Sequence, residues 1–134
     1  MAYAVAGQVR DFKLAGYPAK KPMVPHGLSV VINAPAVFRW TAQANPQRHF
    51  EAAQALGADV RGATVNDAGE LVAKTLEKLM GETGLPIGLP ALGYSSADID
   101  PLVKSTAVQR RLLDNAPLEV REPELTDLFQ RAMP

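Results

Sequence analysis

Few side chains in this sequence could do chemistry. The 134 residues hold two histidines, His26 and His49, and no cysteine, so a thiolate metal site and a disulfide framework are both excluded. His26 stands in Pro25-His26-Gly27, at the head of an apolar run. A neutral imidazole nitrogen is what a transition metal accepts, and Gly27 removes a side chain where a ligand or a second backbone would approach. One histidine is not a site, because a metal needs about three or four ligands. On residue type alone, a solvated or structural His26 is the plainer reading. His49 lies in Pro46-Gln47-Arg48-His49-Phe50-Glu51 and is expected to be partly exposed, its ring beside Phe50. The carboxylate pairs Asp98/Asp100 and Glu122/Glu124 read as charged helix entries, where the helix dipole favours negative side chains. Ser95-Ser96 lacks the strand–turn–helix elbow of a nucleophile. The glycines of residues 84–93 lack phosphate-cradling spacing, and no strand precedes them. No catalytic and no cofactor-binding residue is assigned on these grounds.

The elements that would position such residues are helical. Val5, Val9 and Phe12 fall on one face of a helix over residues 2–13, which opens without a capping residue. Residues 14–25, with Gly16, Pro18, Pro22 and Pro25, read as a loop. Residues 28–32 are equally compatible with a buried strand or a buried helix. A further piece covers residues 36–43. His49, Phe50, Ala53 and Leu56 then step by three and four residues until Gly57. Asn66 or Asp67 can cap a helix whose stripe is Leu71, Val72, Leu76, Leu79 and Met80. Ser95-Ser96-Ala97-Asp98 has the spacing of a capping box, and a short amphipathic helix opens at Glu122-Pro123. The fold class is all-α, a helical bundle, with residues 1–134 as a single domain.

Composition narrows the functions. Fourteen basic residues cancel fourteen acidic ones, which argues against a nucleic-acid or anionic-membrane partner, since both need a positive field. No apolar run approaches the ~18 residues of a membrane span and no leader opens the chain, so a cytoplasmic domain is expected.

At Val24-Pro25-His26-Gly27-Leu28-Ser29-Val30-Val31 the chain resembles the iron-dependent (group III) alcohol dehydrogenases. The likeness continues in Met1-Ala2-Tyr3 with Gly7, in Pro35-Ala36-Val37-Phe38 with Thr41-Ala42, in Pro46-Gln47-Arg48-His49 through Leu56-Gly57-Ala58-Asp59, and in Leu92-Gly93-Tyr94-Ser95. Within the family it is most similar to the hydroxyacid-oxoacid transhydrogenase branch. The resemblance implies the C-terminal helical domain of the dehydroquinate synthase-like fold, truncated: the nucleotide-binding domain and the first helices of the helical domain would be absent. It implies Fe(II), or Zn, held by one aspartate and three histidines, of which His26 matches the last. It implies NAD as hydride carrier, with Tyr3 where many relatives carry a histidine near the nicotinamide. In the transhydrogenase branch, reducing equivalents pass from 4-hydroxybutyrate to 2-oxoglutarate.

Two functions follow as expectations. One is the metal-side portion of an NAD-linked dehydrogenase, inactive alone, binding neither metal nor NAD tightly, and partnered by the missing N-terminal domain. The other is a stand-alone helical binding or scaffolding module without catalysis. Homo-oligomers are expected in either case, because the apolar faces of residues 1–13 and 28–32 would lack their usual cover.

Overall fold

The computed structural model describes residues 1–133. These form eight α-helices: α1 Ala2–Gly7, α2 His26–Val31, α3 Ala34–Thr41, α4 Pro46–Ala55, α5 Ala68–Glu82, α6 Ile99–Ala107, α7 Arg110–Leu113 and α8 Glu122–Arg131. Among the described residues the nearest approach to a sheet is one isolated parallel bridge, Lys13 to Met23.

Local chemistry sets most boundaries. Asn45 accepts the Arg48 N–H at 3.1 Å and Pro46 takes the first turn of α4, where its missing N–H costs nothing. Gly57, at φ +90°, releases the chain after that helix. Asp67, one of the two candidates, stands at the N-cap of α5, and Thr64, which the sequence reading passed over, caps the 3₁₀ turn just before it. Asp67 turns its carboxylate back onto the Thr64 N–H and hydroxyl, at 2.8 and 2.9 Å, across a single 3₁₀ turn. The box at Ser95 and Asp98 forms as its spacing suggested.

Phe129, Leu102, Leu125, Leu89 and Val5 are fully enclosed and form the centre of the core. Burying a side chain of this size contributes about 1.5–3 kcal/mol. The α6–α8 and α1–α2 pairs meet in this core, while α5 lies against α3 and α4. The Leu89 N–H donates to the Ala132 carbonyl at 2.8 Å, which fastens the Gly/Pro-rich crossing segment to the end of α8.

Two expectations need correction, and one alternative left open is resolved. The helix expected over residues 2–13 stops at Gly7. The Val5 carbonyl, which a continuing helix would offer to the Val9 N–H, instead accepts the buried Tyr94 hydroxyl at 2.6 Å. Val9 and Phe12 still pack against the core, from the loop rather than from a helical face. Residues 28–32 resolve as α2 and its cap, not a strand. The apolar faces expected to be uncovered are closed only in part: Val5, Leu28 and Ile32 are buried, while Tyr3 and Val30 in the same stretches remain exposed, as does Phe38 beyond them.

Gly69 marks the closest approach of two helices. A Cβ built there would lie 3.0 Å from the Arg39 carbonyl oxygen, 3.0 Å from Ala42 Cβ and 3.2 Å from Arg39 Cα. None of these is the end of a flexible side chain, so α3 itself would have to move. Gly81, in the same helix, faces open space. Gly69→Ala should therefore destabilise by about 1–2 kcal/mol through overpacking, whereas Gly81→Ala should stabilise by up to about 1 kcal/mol through helix propensity. Urea titrations of the two variants check this, and a Gly69→Ala variant as stable as Gly81→Ala would refute the close packing.

Candidate functional site

His26 is the first residue of α2. Pro25, at φ −55° and ψ 144°, brings the chain in extended and turns it into the helix. The inner side of the turn is pinned. The Ser29 hydroxyl donates to the His26 carbonyl at 2.8 Å, and the Asn33 amide donates to the Ser29 carbonyl at 2.8 Å. Ser29 and Asn33 are both buried, whereas His26 is exposed. Nothing in the chain lies within 4 Å of a Cβ placed on Gly27, so the space over the head of α2 is open. Among the described residues, no other segment makes the approach expected at Gly27.

Tyr3 projects from α1 to meet His26. Their ring centroids are 5.8 Å apart at an interplanar angle of 34°, and Tyr3 is 55% exposed. Two residues 23 positions apart in sequence thus form one aromatic surface open to solvent.

His49 is committed elsewhere. Its Nδ1 lies 2.8 Å from the Asn45 carbonyl and its Nε2 3.0 Å from the Thr41 hydroxyl. A carbonyl only accepts, so Nδ1 carries the proton and Nε2 accepts from Thr41, a tautomer assigned from the network. Both nitrogens are occupied within the fold. The ring packs edge-on against Phe38 at 5.8 Å, not beside Phe50 as expected.

The residues that fix Tyr3 are ones the sequence reading missed. Alongside Tyr94, Asp98 bonds Arg10 just beyond α1, and it accepts from the Ser95 N–H at 2.8 Å and the Ser95 hydroxyl at 3.1 Å. The Gln8 amide donates to the Pro101 carbonyl at 3.1 Å. The Ser-x-x-Asp spacing signalled the cap, but nothing local signalled that the same carboxylate would hold the Arg10 guanidinium. The bond from the Ser95 N–H, and then the Ser95 hydroxyl and Arg10, hold the Asp98 carboxyl below its usual 3.8, against the opposing effect of burial.

As a metal site the surface is incomplete. No group of three or more His, Cys, Asp or Glu side chains that could hold an ion occurs among the described residues. His26, with its exposed ring, could supply one imidazole donor to an ion, and further ligands would be needed to hold it.

Residues 1–133 match the family model described as the Fe-containing alcohol dehydrogenase family, C-terminal. The chain belongs to that family. Iron-type alcohol dehydrogenases of known structure share its helical fold. A 1,3-propanediol oxidoreductase superposes with a TM-score of 0.72 at 25% identity, covering 82% of this chain and 28% of that one. The alcohol dehydrogenase of Oenococcus oeni gives a TM-score of 0.73 at 24% identity, covering 81% and 28%. Its relatives include the hydroxyacid-oxoacid transhydrogenase, mitochondrial, of Homo sapiens, 47% identical over 133 residues, which are 99% of this chain and 28% of that protein. The probable hydroxyacid-oxoacid transhydrogenase, mitochondrial, of Dictyostelium discoideum is 43% identical over 134 residues, 24% of its length. This member of the iron alcohol dehydrogenase family is thus transhydrogenase-like, and it spans about a quarter of the length of the curated relatives it matches. No helix among the described residues is long and apolar enough to cross a membrane.

The Asp98 cluster makes a prediction with a definite sign. Asp98→Ala should cost about 2 kcal/mol at pH 7, since it removes charge-assisted hydrogen bonds. Because the folded carboxyl titrates below 3.8, its contribution is complete above pH 3.8 and is lost as the pH falls below that value. Denaturation curves of the two proteins should converge in acid. A gap that stays constant down to pH 2 would rule out the ionised carboxylate as its source.

Proposed function

We propose that this chain is the metal-side helical portion of an NAD-linked, iron-dependent enzyme that moves hydride between a hydroxyacid or alcohol and a nicotinamide, and that it is inactive alone. The observation that carries this reading is the exposed pairing of His26 with Tyr3 at the head of α2, in a chain of this family. When bound, the ion supplies Lewis-acid stabilisation of the alcohol oxygen and the nicotinamide accepts or returns the hydride. His26 offers one ring nitrogen, with Ser29 and Asn33 holding the turn from which it projects. Tyr3 sets a flat ring and a hydroxyl beside that imidazole, suited to lie against the nicotinamide. The remaining metal ligands and the nucleotide cradle belong, on this reading, to a preceding nucleotide-binding domain. The compartment is read as cytoplasmic from composition, although the names of the relatives carry the word mitochondrial; fractionation of the source cells distinguishes the two.

The test combines turnover with metal content. The purified chain with Fe(II), NAD and 4-hydroxybutyrate should show no turnover, and activity should appear when the preceding portion is added in trans. In the full-length protein, His26→Ala should lose bound iron and activity while leaving the thermal midpoint of the metal-free protein nearly unchanged, within about 0.5 kcal/mol for an exposed ring. Steady turnover by the chain alone, or full iron content in the alanine variant, would overturn the reading.

Association is part of the same proposal. An apolar groove of about 340 Å³ is lined by Val30, Val37, Phe38, Trp40, Leu113 and Leu125, and on this reading it is the seat of preceding helices. Without them it should draw copies together. Sedimentation of the isolated chain should show dimers or larger species, and a monomer at every concentration would count against it.

A further inference from the structure

The chain's positive charges are unevenly neutralised. Ten of its fourteen Lys and Arg residues lie within ion-pair distance of a carboxylate. Among the described residues the four without such a partner are Lys13, Lys20, Lys21 and Arg111. Three of these four sit in the one segment that connects Tyr3's helix to His26. From residue 13 to residue 23 that segment holds three cations and no carboxylate, and all three lysines are exposed. Asp11, the acidic residue nearest to it in sequence, lies outside the closed finger.

The finger is built rather than slack. Its base is closed by the Lys13–Met23 bridge and by the Met23 N–H donating to the Phe12 carbonyl at 2.9 Å. Phe12 and Leu14 are partly buried against the core, so Lys13 between them is turned outward. Its tip turns at Gly16, φ +74°, with the Tyr17 N–H on the Leu14 carbonyl at 3.1 Å. Pro18 and Pro22 stiffen the returning arm. Met23 is three residues from His26, at most about 11 Å of chain. Lys13, its bridge partner, is about 5 Å further.

Cations without counter-charges on the segment that joins the two halves of an open aromatic surface attract anions. Hydroxyacids and oxoacids, the compounds in the relatives' names, are carboxylates at neutral pH. We infer that the finger of residues 13–23, through Lys13, Lys20 and Lys21, is the carboxylate-recognising element of the site, giving an acid preference over a neutral alcohol of the same length. This rests on the proposed dehydrogenase reading for the place of the reacting carbon at His26, but not for the binding of the anion.

The experiment compares the full-length protein, loaded with Fe(II) and NAD, with its Lys13→Ala/Lys20→Ala/Lys21→Ala variant. The substrates are 4-hydroxybutyrate and 1,4-butanediol, which differ by the charge at one end. Calorimetric titration of 4-hydroxybutyrate into both proteins with Fe(II) but without NAD, where no hydride acceptor is present, reads binding without turnover. The expected result is a KM for the acid raised about tenfold and weakened binding, with kcat within about twofold and the KM values for the diol and NAD unchanged. Salt should weaken the unmodified protein towards the acid and affect the variant less. Arginine at all three positions should restore the preference, and Arg111→Ala should leave it intact. An unchanged acid-to-diol ratio with unchanged binding would overturn the inference. So would a change confined to the KM for NAD, which would give the lysines to the cofactor's phosphates instead. Lysine-dependent binding of the acid by a protein that turns over neither substrate would sink the dehydrogenase reading and leave the carboxylate site standing.

Discussion

A helix of six residues is too short to be stable in water, because nucleation consumes most of what its few hydrogen bonds return. α1 is such a helix, yet it carries Tyr3 and must hold it against His26. What allows this is a set of bonds from a distant stretch of chain. The Tyr94 hydroxyl closes the Val5 carbonyl, Asp98 grips Arg10, and the Pro101 carbonyl takes the Gln8 amide. Residues 94–101 act as a clamp on the C-terminal end of α1. The clamp also explains why the helix stops where it does, since the carbonyl that would have extended it already has a partner.

The clamp is in turn held by the core. Tyr94 is buried, Leu92 and Leu89 lie under it, and Leu89 is tied to α8 by a backbone bond to Ala132. Phe129 and Leu125 of α8 stand at the centre of the same cluster as Val5 of α1. The position of one exposed tyrosine therefore depends on packing that spans both ends of the chain. Surface ion pairs such as Lys104–Asp100 and Arg131–Asp127 contribute little to this, about 0.3–0.5 kcal/mol each for helical neighbours.

What the sequence made legible was whatever depends on near neighbours. The stepping of His49, Ala53 and Leu56, the Ser95–Asp98 box, the glycine after α4 and the proline at the head of α8 all act within one or two turns, and each appears in the structure where its spacing placed it. The all-α class followed from them. The end of α1 was not legible, because its cause lies about ninety residues away in Tyr94. The surroundings of His49 were not legible either: its partners are Thr41 and Phe38 across a turn, not the neighbouring Phe50. The Tyr3–His26 contact was not legible, since no periodicity joins residues on either side of a loop rich in proline and glycine.

The two histidines show how one residue type divides between structure and chemistry. His49 has a hydrogen-bond partner for each ring nitrogen and an aromatic ring against its face, so it joins α4 to α3 and has no lone pair to give. For His26 the bonds that stabilise the turn are made by its backbone carbonyl and by Ser29 and Asn33 beneath it, which leaves the imidazole out of the fold's own network. A side chain that the fold does not use, on a backbone that the fold holds firmly, is the arrangement a metal ligand requires: the ring can bind without disturbing the packing, and the packing fixes where the ring can bind. The same division recurs in the charges. Lysines and arginines on α4, α5, α6 and α8 are answered by carboxylates on their own or adjoining helices, while Lys13, Lys20 and Lys21 have none within ion-pair distance. Of the groups left uncommitted, one imidazole, the phenol rings of Tyr3 and Tyr17 and three ammonium groups lie between residues 3 and 26, with Arg111 outside that stretch. Where most of the other cations are paired, this concentration in one stretch of the chain is a physical reason to look for the chemistry there.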